Sequence, residues 1–143
     1  MTDPATPGAP PSPTLFHRRT VALAERLPEL REALAEWVRA LGIGAERVED
    51  VVLAGYEAMA NSAEHAYRDQ EAGYVDVRAE ALAERLIVTV TDYGNWRAPV
   101  PTNGLRGRGL LLIDSLTDQC AQVHRDDGTT ITMTWLEDAG AAG

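Results

Sequence analysis

The period of the apolar residues changes along this chain, and that change fixes the fold class. After Pro28, which suits a first helical position, Leu30, Leu34, Trp37, Val38 and Leu41 recur at helical spacing on one face. Gly42 and Gly44 close that helix. A second runs from about Ala45 to Tyr67, with Val48, Val51, Val52, Gly55, Met59 and Ser62 as its small-to-apolar stripe. Beyond Gly73 the pattern alternates instead. Tyr74–Ala79 and Leu86–Asp92, joined by Glu80–Arg85, read as an antiparallel pair. A short apolar helix over Gly109–Leu116 leads to a last hairpin, Ala121–Arg125 and Thr129–Leu136, with Asp127-Gly128 as its turn. Leu15 to Leu23 reads as an edge strand. This order predicts an α+β protein, a two-layer α/β sandwich whose helices lie on one face of a mixed, mostly antiparallel sheet.

At 143 residues a single domain is expected, large enough to bury a core without disulfide or metal staples. Residues 1–13 hold five prolines and almost no large apolar side chains, so a disordered tail is expected there. The folded domain should cover 14–136, and 137–143 should fray. Cys120 is the only cysteine, which rules out an intramolecular disulfide and reads as a small buried hydrophobe. The net charge of −9 argues against direct nucleic-acid binding, which relies on basic patches. All thirteen cationic residues are arginine, so a phosphate contact must come from Arg, backbone N–H or a metal ion. No apolar run is long enough to span a membrane and no signal-peptide pattern opens the chain, so a cytoplasmic protein is expected.

The residues with chemical potential fall into four short segments. Glu57 and Asn61 lie four residues apart on the second helix and share one face. Asn offers a hard oxygen to a cation without adding charge, and Glu can accept a proton. Taken alone, such a pair is also the pattern of any solvated helix face. Strand parity is more restrictive. Leu86, Val88, Val90 and Asp92 share the apolar side of their strand, so Asp92 sits at its core-facing end. A carboxylate there needs a hydrogen-bond donor, from the protein or from a ligand amine. Gly94 beside it allows close backbone approach or positive φ. By the same parity Thr129 points inward with Ile131, Met133 and Trp135, while Thr130, Thr132 and Thr134 face solvent. Gly107-Arg108-Gly109 opens a helix, where free N–H groups and the positive dipole end suit phosphate. Neither a Rossmann fingerprint nor a Walker A motif is present.

These four segments, in this order, resemble the N box, G1, G2 and terminal Gly-Thr elements of the GHKL (Bergerat-fold) ATPases. The likeness spans about residues 14–136. The wording around Glu57-Ala-Met-Ala-Asn61 and Asp92-Tyr93-Gly94 is similar to that of the bacterial anti-sigma-factor serine kinases. The resemblance implies use of ATP and magnesium, binding of a sigma factor, and phosphorylation of a serine on an anti-anti-sigma (STAS-type) protein, by a homodimer. It implies Glu57 as catalytic base, Asn61 as magnesium ligand, and Asp92 as acceptor of the adenine amine with Thr129 nearby through water. Gly94 would admit the adenine, Gly107 and Gly109 would sit at the phosphates, and Arg106 or Arg108 would reach the γ-phosphate. One departure stands out: the longer G1 pattern has a second glycine two residues after Gly94, where this chain has Trp96.

Three functions fit these residues: an anti-sigma serine kinase, an ATP-binding switch without transfer, and a stand-alone histidine-kinase catalytic domain. Residues 94–108, punctuated by Gly94, Pro99, Pro101, Gly104 and Gly107, read as a long loop, whose 95–106 stretch is expected to act as a lid. His17, His65 and His124 are scattered and suggest no metal cluster.

Overall fold

The computed structural model describes residues 15–67, 71–94 and 108–136, without the side chains of 108–110. The described elements are β1 (Leu15–Val21), a 3-10 turn (Ala24–Arg26), α1 (Leu27–Ala40), α2 (Ala45–His65), β2 (Tyr74–Ala81), β3 (Arg85–Asp92), α3 (Arg108–Leu116), β4 (Gln119–Arg125) and β5 (Gly128–Leu136). The strands form one five-stranded sheet in the order β1-β2-β3-β5-β4. Every pairing is antiparallel, so the sheet expected as mixed contains no parallel neighbour among the described strands. β1 takes the edge position read for it. The two tails lie outside the described residues.

Each helix follows from its local sequence. α1 starts one residue before Pro28, whose fixed φ and missing N–H are tolerated in a first turn. Gly42 ends α1 at φ 80, a left-handed conformation that favours glycine, and its N–H donates to Arg39 O. α2 buries Val48, Val51, Ala54, Gly55, Ala58, Met59 and Ser62 along one stripe. Each of the larger side chains in that stripe contributes roughly 1.5–3 kcal/mol by leaving water. Gly55 makes room for α1: a Cβ there would lie 2.9 Å from Leu34 Cδ2.

The core lies between the helices and one face of the sheet. Val75, Val77 and Ala79 of β2, Val88 and Val90 of β3, and Ile131 and Met133 of β5 are all buried there. Trp135 closes the far end, donating its indole N–H to Leu116 O over 2.7 Å. The opposite sheet face carries Thr130, Thr132 and Thr134, all half-buried. This two-layer arrangement sets the end of β3 beside the start of β5, where Ser62 in the C-terminal half of α2 reaches Asp92.

The last hairpin differs in detail from its sequence reading. The two turn residues are Asp126 and Asp127, and Gly128 opens β5 opposite Arg125. Its glycine is explained by packing, since a Cβ would run into the Asp92 carbonyl oxygen. Cys120 is half-buried rather than fully enclosed, and its burial raises the thiol pKa.

Candidate functional site

The end of β3 is the chemical centre of the described structure. Asp92 is 1% exposed on the helix-facing side of the sheet, as its parity predicts. An isolated carboxylate there would be costly, and the protein supplies donors. Ser62 Oγ of α2 donates to Asp92 Oδ2 over 2.9 Å, and Gly94 N donates to Oδ1 over 3.2 Å. Each carboxylate oxygen thus receives a donor from a different part of the chain.

Thr129 stands directly opposite Asp92 in the β3–β5 ladder and is 3% exposed. Thr129 in turn pairs with His124 of β4, whose Nδ1 lies 2.8 Å from the Thr129 hydroxyl oxygen. Asp92, Thr129 and His124 therefore form one polar row across three neighbouring strands.

Glu57 and Asn61 lie on α2, both half-buried and one turn apart, and Asn61 directly precedes the Ser62 that holds Asp92. The Asn61 side-chain Nδ2 is buried with no hydrogen-bond partner among the described residues. Glu57 has neither a hydrogen bond nor an ion pair among them. An orphaned donor and an unpaired carboxylate on one helix face suit a ligand that brings acceptors and a cation.

The segment after Asp92 is held from two sides. Tyr67 OH accepts from Tyr93 N over 2.9 Å and donates to Tyr74 O over 2.7 Å. Burial raises the Tyr67 pKa, which keeps the phenol protonated for that donation. On the other sheet face Tyr93 OH donates to Asp76 Oδ2. Arg19 donates to both oxygens of the same carboxylate, Nε over 2.8 Å and Nη2 over 3.0 Å. The Arg19 guanidinium holds the Asp76 carboxyl below the usual carboxylate range, against its burial and with help from Tyr93. The hydrogen bond to Asp76 in turn raises the Tyr93 pKa.

Gly94 is not in a positive-φ conformation. A Cβ there would run into the Ala66 carbonyl just past α2, so glycine is required by the approach of two backbones. Arg108 and Gly109 form the first turn of α3. Arg106, Gly107, Trp96 and the expected lid lie outside the described residues.

Residues 20–135 match the model of the histidine kinase-like ATPase domain. The chain belongs to this family. Among curated proteins it is similar to the serine-protein kinase RsbW of two Staphylococcus aureus strains, RF122 / ET3-1 and MRSA252. Each is 29% identical over 132 residues, covering 81% of this chain and 82% of theirs. Among solved structures it resembles the RsbU and RsbW domains of Rv1364c from Mycobacterium tuberculosis, with a TM-score of 0.69 and 27% identity. That match covers 85% of this chain and 32% of the other, so this chain spans about a third of it. The histidine kinase domain of the Erythrobacter litoralis blue-light-activated histidine kinase EL346 matches with a TM-score of 0.56 and 20% identity. It covers 78% of this chain and 59% of its own, a likeness of fold.

The structure sets Asp92 opposite Thr129, ties Asp92 to Gly94 and to Ser62 of α2, and keeps Glu57 and Asn61 one turn apart on that helix. Ser62, Tyr67, Tyr93 and His124 were not singled out for this site by sequence. Ser62 carried a signal, because a hydroxyl within a buried stripe needs a partner. No helix among the described residues is long and apolar enough to cross a membrane.

Proposed function

We infer that this chain is an ATP- and magnesium-dependent protein serine kinase that also binds a sigma factor, acting as a homodimer on an anti-anti-sigma (STAS-type) acceptor. The observation that carries this reading is the buried Asp92 row, tied by Ser62 to the helix that carries Glu57 and Asn61. A buried acceptor for a base amine is held by Ser62 of α2, and the unpartnered Asn61 amide precedes Ser62 on that helix, one turn from Glu57. The similarity to RsbW supports the choice of serine as acceptor.

In this reading Asp92 accepts from the adenine amine, with Thr129 completing that edge and Gly94 keeping the backbone close. Asn61 would hold the magnesium ion through its side-chain oxygen, and its Nδ2, which lacks a partner among the described residues, would donate to a phosphate oxygen. Magnesium supplies charge neutralisation at the phosphates. Gly107 and Gly109 offer N–H groups to phosphate, and Arg106 or Arg108 contacts the γ-phosphate. Glu57 accepts the proton of the serine hydroxyl as its oxygen bonds to phosphorus and the bond to the ADP oxygen breaks.

The test is incubation with γ-labelled ATP, magnesium and a purified STAS-type protein. Acid-stable label on serine is the expected result. Acid-labile label would indicate histidine transfer, and ATP binding without label would indicate a switch that sequesters its partner; either contradicts the serine kinase reading.

A further inference from the structure

We propose that His124 is a specificity-determining positioning residue, whose ring Nδ1–H donates to Thr129 Oγ1 and so makes the Thr129 hydroxyl a donor toward the nucleobase. The inference rests on the reading of Asp92 and Thr129 as the base-recognition edge.

Thr129 is buried, and a buried hydroxyl has one proton to give and two lone pairs to offer. Its polarity toward a ligand is therefore set by what its neighbour takes. The neighbour in the structure is His124 Nδ1 at 2.8 Å. A bare Nδ1 consumes the threonine proton and leaves an acceptor facing the base. A protonated Nδ1 donates to Oγ1 and leaves the threonine proton for the base.

Asp92, opposite Thr129 in the ladder, acts as an acceptor at both oxygens, from the Ser62 hydroxyl and from the Gly94 amide. Adenine presents an amine donor next to a ring-nitrogen acceptor. Two acceptors side by side cannot match that edge, whereas an acceptor beside a donor can. The requirement is unchanged if a water intervenes. A water that gives one proton to Asp92 and the other to the ring nitrogen can only accept from Thr129. In both cases the hydroxyl must donate, and His124 must carry its proton on Nδ1. His124 is itself exposed on edge strand β4, so it can be replaced without opening the core.

The experiment compares binding of ATP with that of 1-deaza-ATP, in which the ring nitrogen is replaced by C–H. Wild type should prefer ATP by roughly tenfold, the scale of one hydrogen bond. His124→Phe should weaken ATP to near the 1-deaza-ATP affinity while leaving 1-deaza-ATP unchanged. Thr129→Val should do the same, and the double variant should add nothing further. His124→Asn, which retains an N–H donor, should recover the preference, and His124→Asp, which can only accept, should not. Nitrogen NMR of the ATP complex should show Nδ1 protonated. An unchanged ATP preference in His124→Phe, or a bare Nδ1, would overturn the role of His124 alone. Failure of wild type to bind ATP, or to distinguish the two nucleotides, would overturn the base-edge reading and His124's role with it.

Discussion

Ser62 Oγ donates to Asp92 Oδ2 over 2.9 Å, tying the buried stripe of α2 to the last residue of β3. The two oxygens of Asp92 are thus held by different elements, Oδ2 by the helix and Oδ1 by the Gly94 amide. Removing the hydroxyl leaves a buried carboxylate one donor short. Ser62→Ala should lower stability by about 1–3 kcal/mol and weaken ATP binding together. Urea unfolding and calorimetry measure both. A variant as stable and as tight-binding as wild type would mean that Ser62 does not hold Asp92.

Gly94 abuts the Ala66 carbonyl, a backbone atom that no rotamer change can move aside. Gly94→Ala should therefore displace the β3 end from α2 and destabilise the fold by about 1–3 kcal/mol, as overpacking does. The expected sign is a lower urea midpoint at unchanged slope. An unshifted midpoint would show that the junction yields without cost.

Much of this junction was legible in the sequence because periodicity dictates facing. Alternation alone placed Asp92 and Thr129 on the buried side, and helical spacing placed Val48, Val51, Gly55 and Met59 in the core. Relationships between distant segments were not legible. The partner of Ser62 lies 30 residues away and that of Arg19 lies 57 away, and no local pattern encodes such pairings. Gly128 was read as a turn residue from its neighbour Asp127, yet its reason is the Asp92 backbone across the ladder. His124 looked scattered because its meaning comes only from register with Thr129.

Asp76 gives a pH-dependent prediction. Its folded pKa is lowered, chiefly by the Arg19 hydrogen bonds, so its ionised form is favoured by folding. That stabilisation is present above the unfolded carboxylate pKa of about 3.9 and is lost as pH falls through the lower folded value. Asp76→Asn should be less stable than wild type by about 1–2 kcal/mol at neutral pH. The gap should stay constant down to about pH 5 and close progressively below the unfolded value. Unfolding curves at several pH values measure it, and a gap that persists undiminished at the acid end would contradict the ion-pair account.

The proposed homodimer should appear by sedimentation at micromolar concentration, with or without nucleotide. A clean monomer at high concentration would reject it and favour a one-to-one partner complex.

The central claim is that Glu57 acts in transfer while Asp92 and its row bind the base. The most direct measurement is single-turnover transfer from Mg-ATP to the STAS-type acceptor by Glu57→Ala, with nucleotide affinity measured on the same protein. Near-normal ATP affinity with transfer slowed by roughly 10²–10⁴-fold is the expected result, the scale of losing a general base. Transfer at the wild-type rate would contradict the account and return the Glu57 face of α2 to a solvated surface.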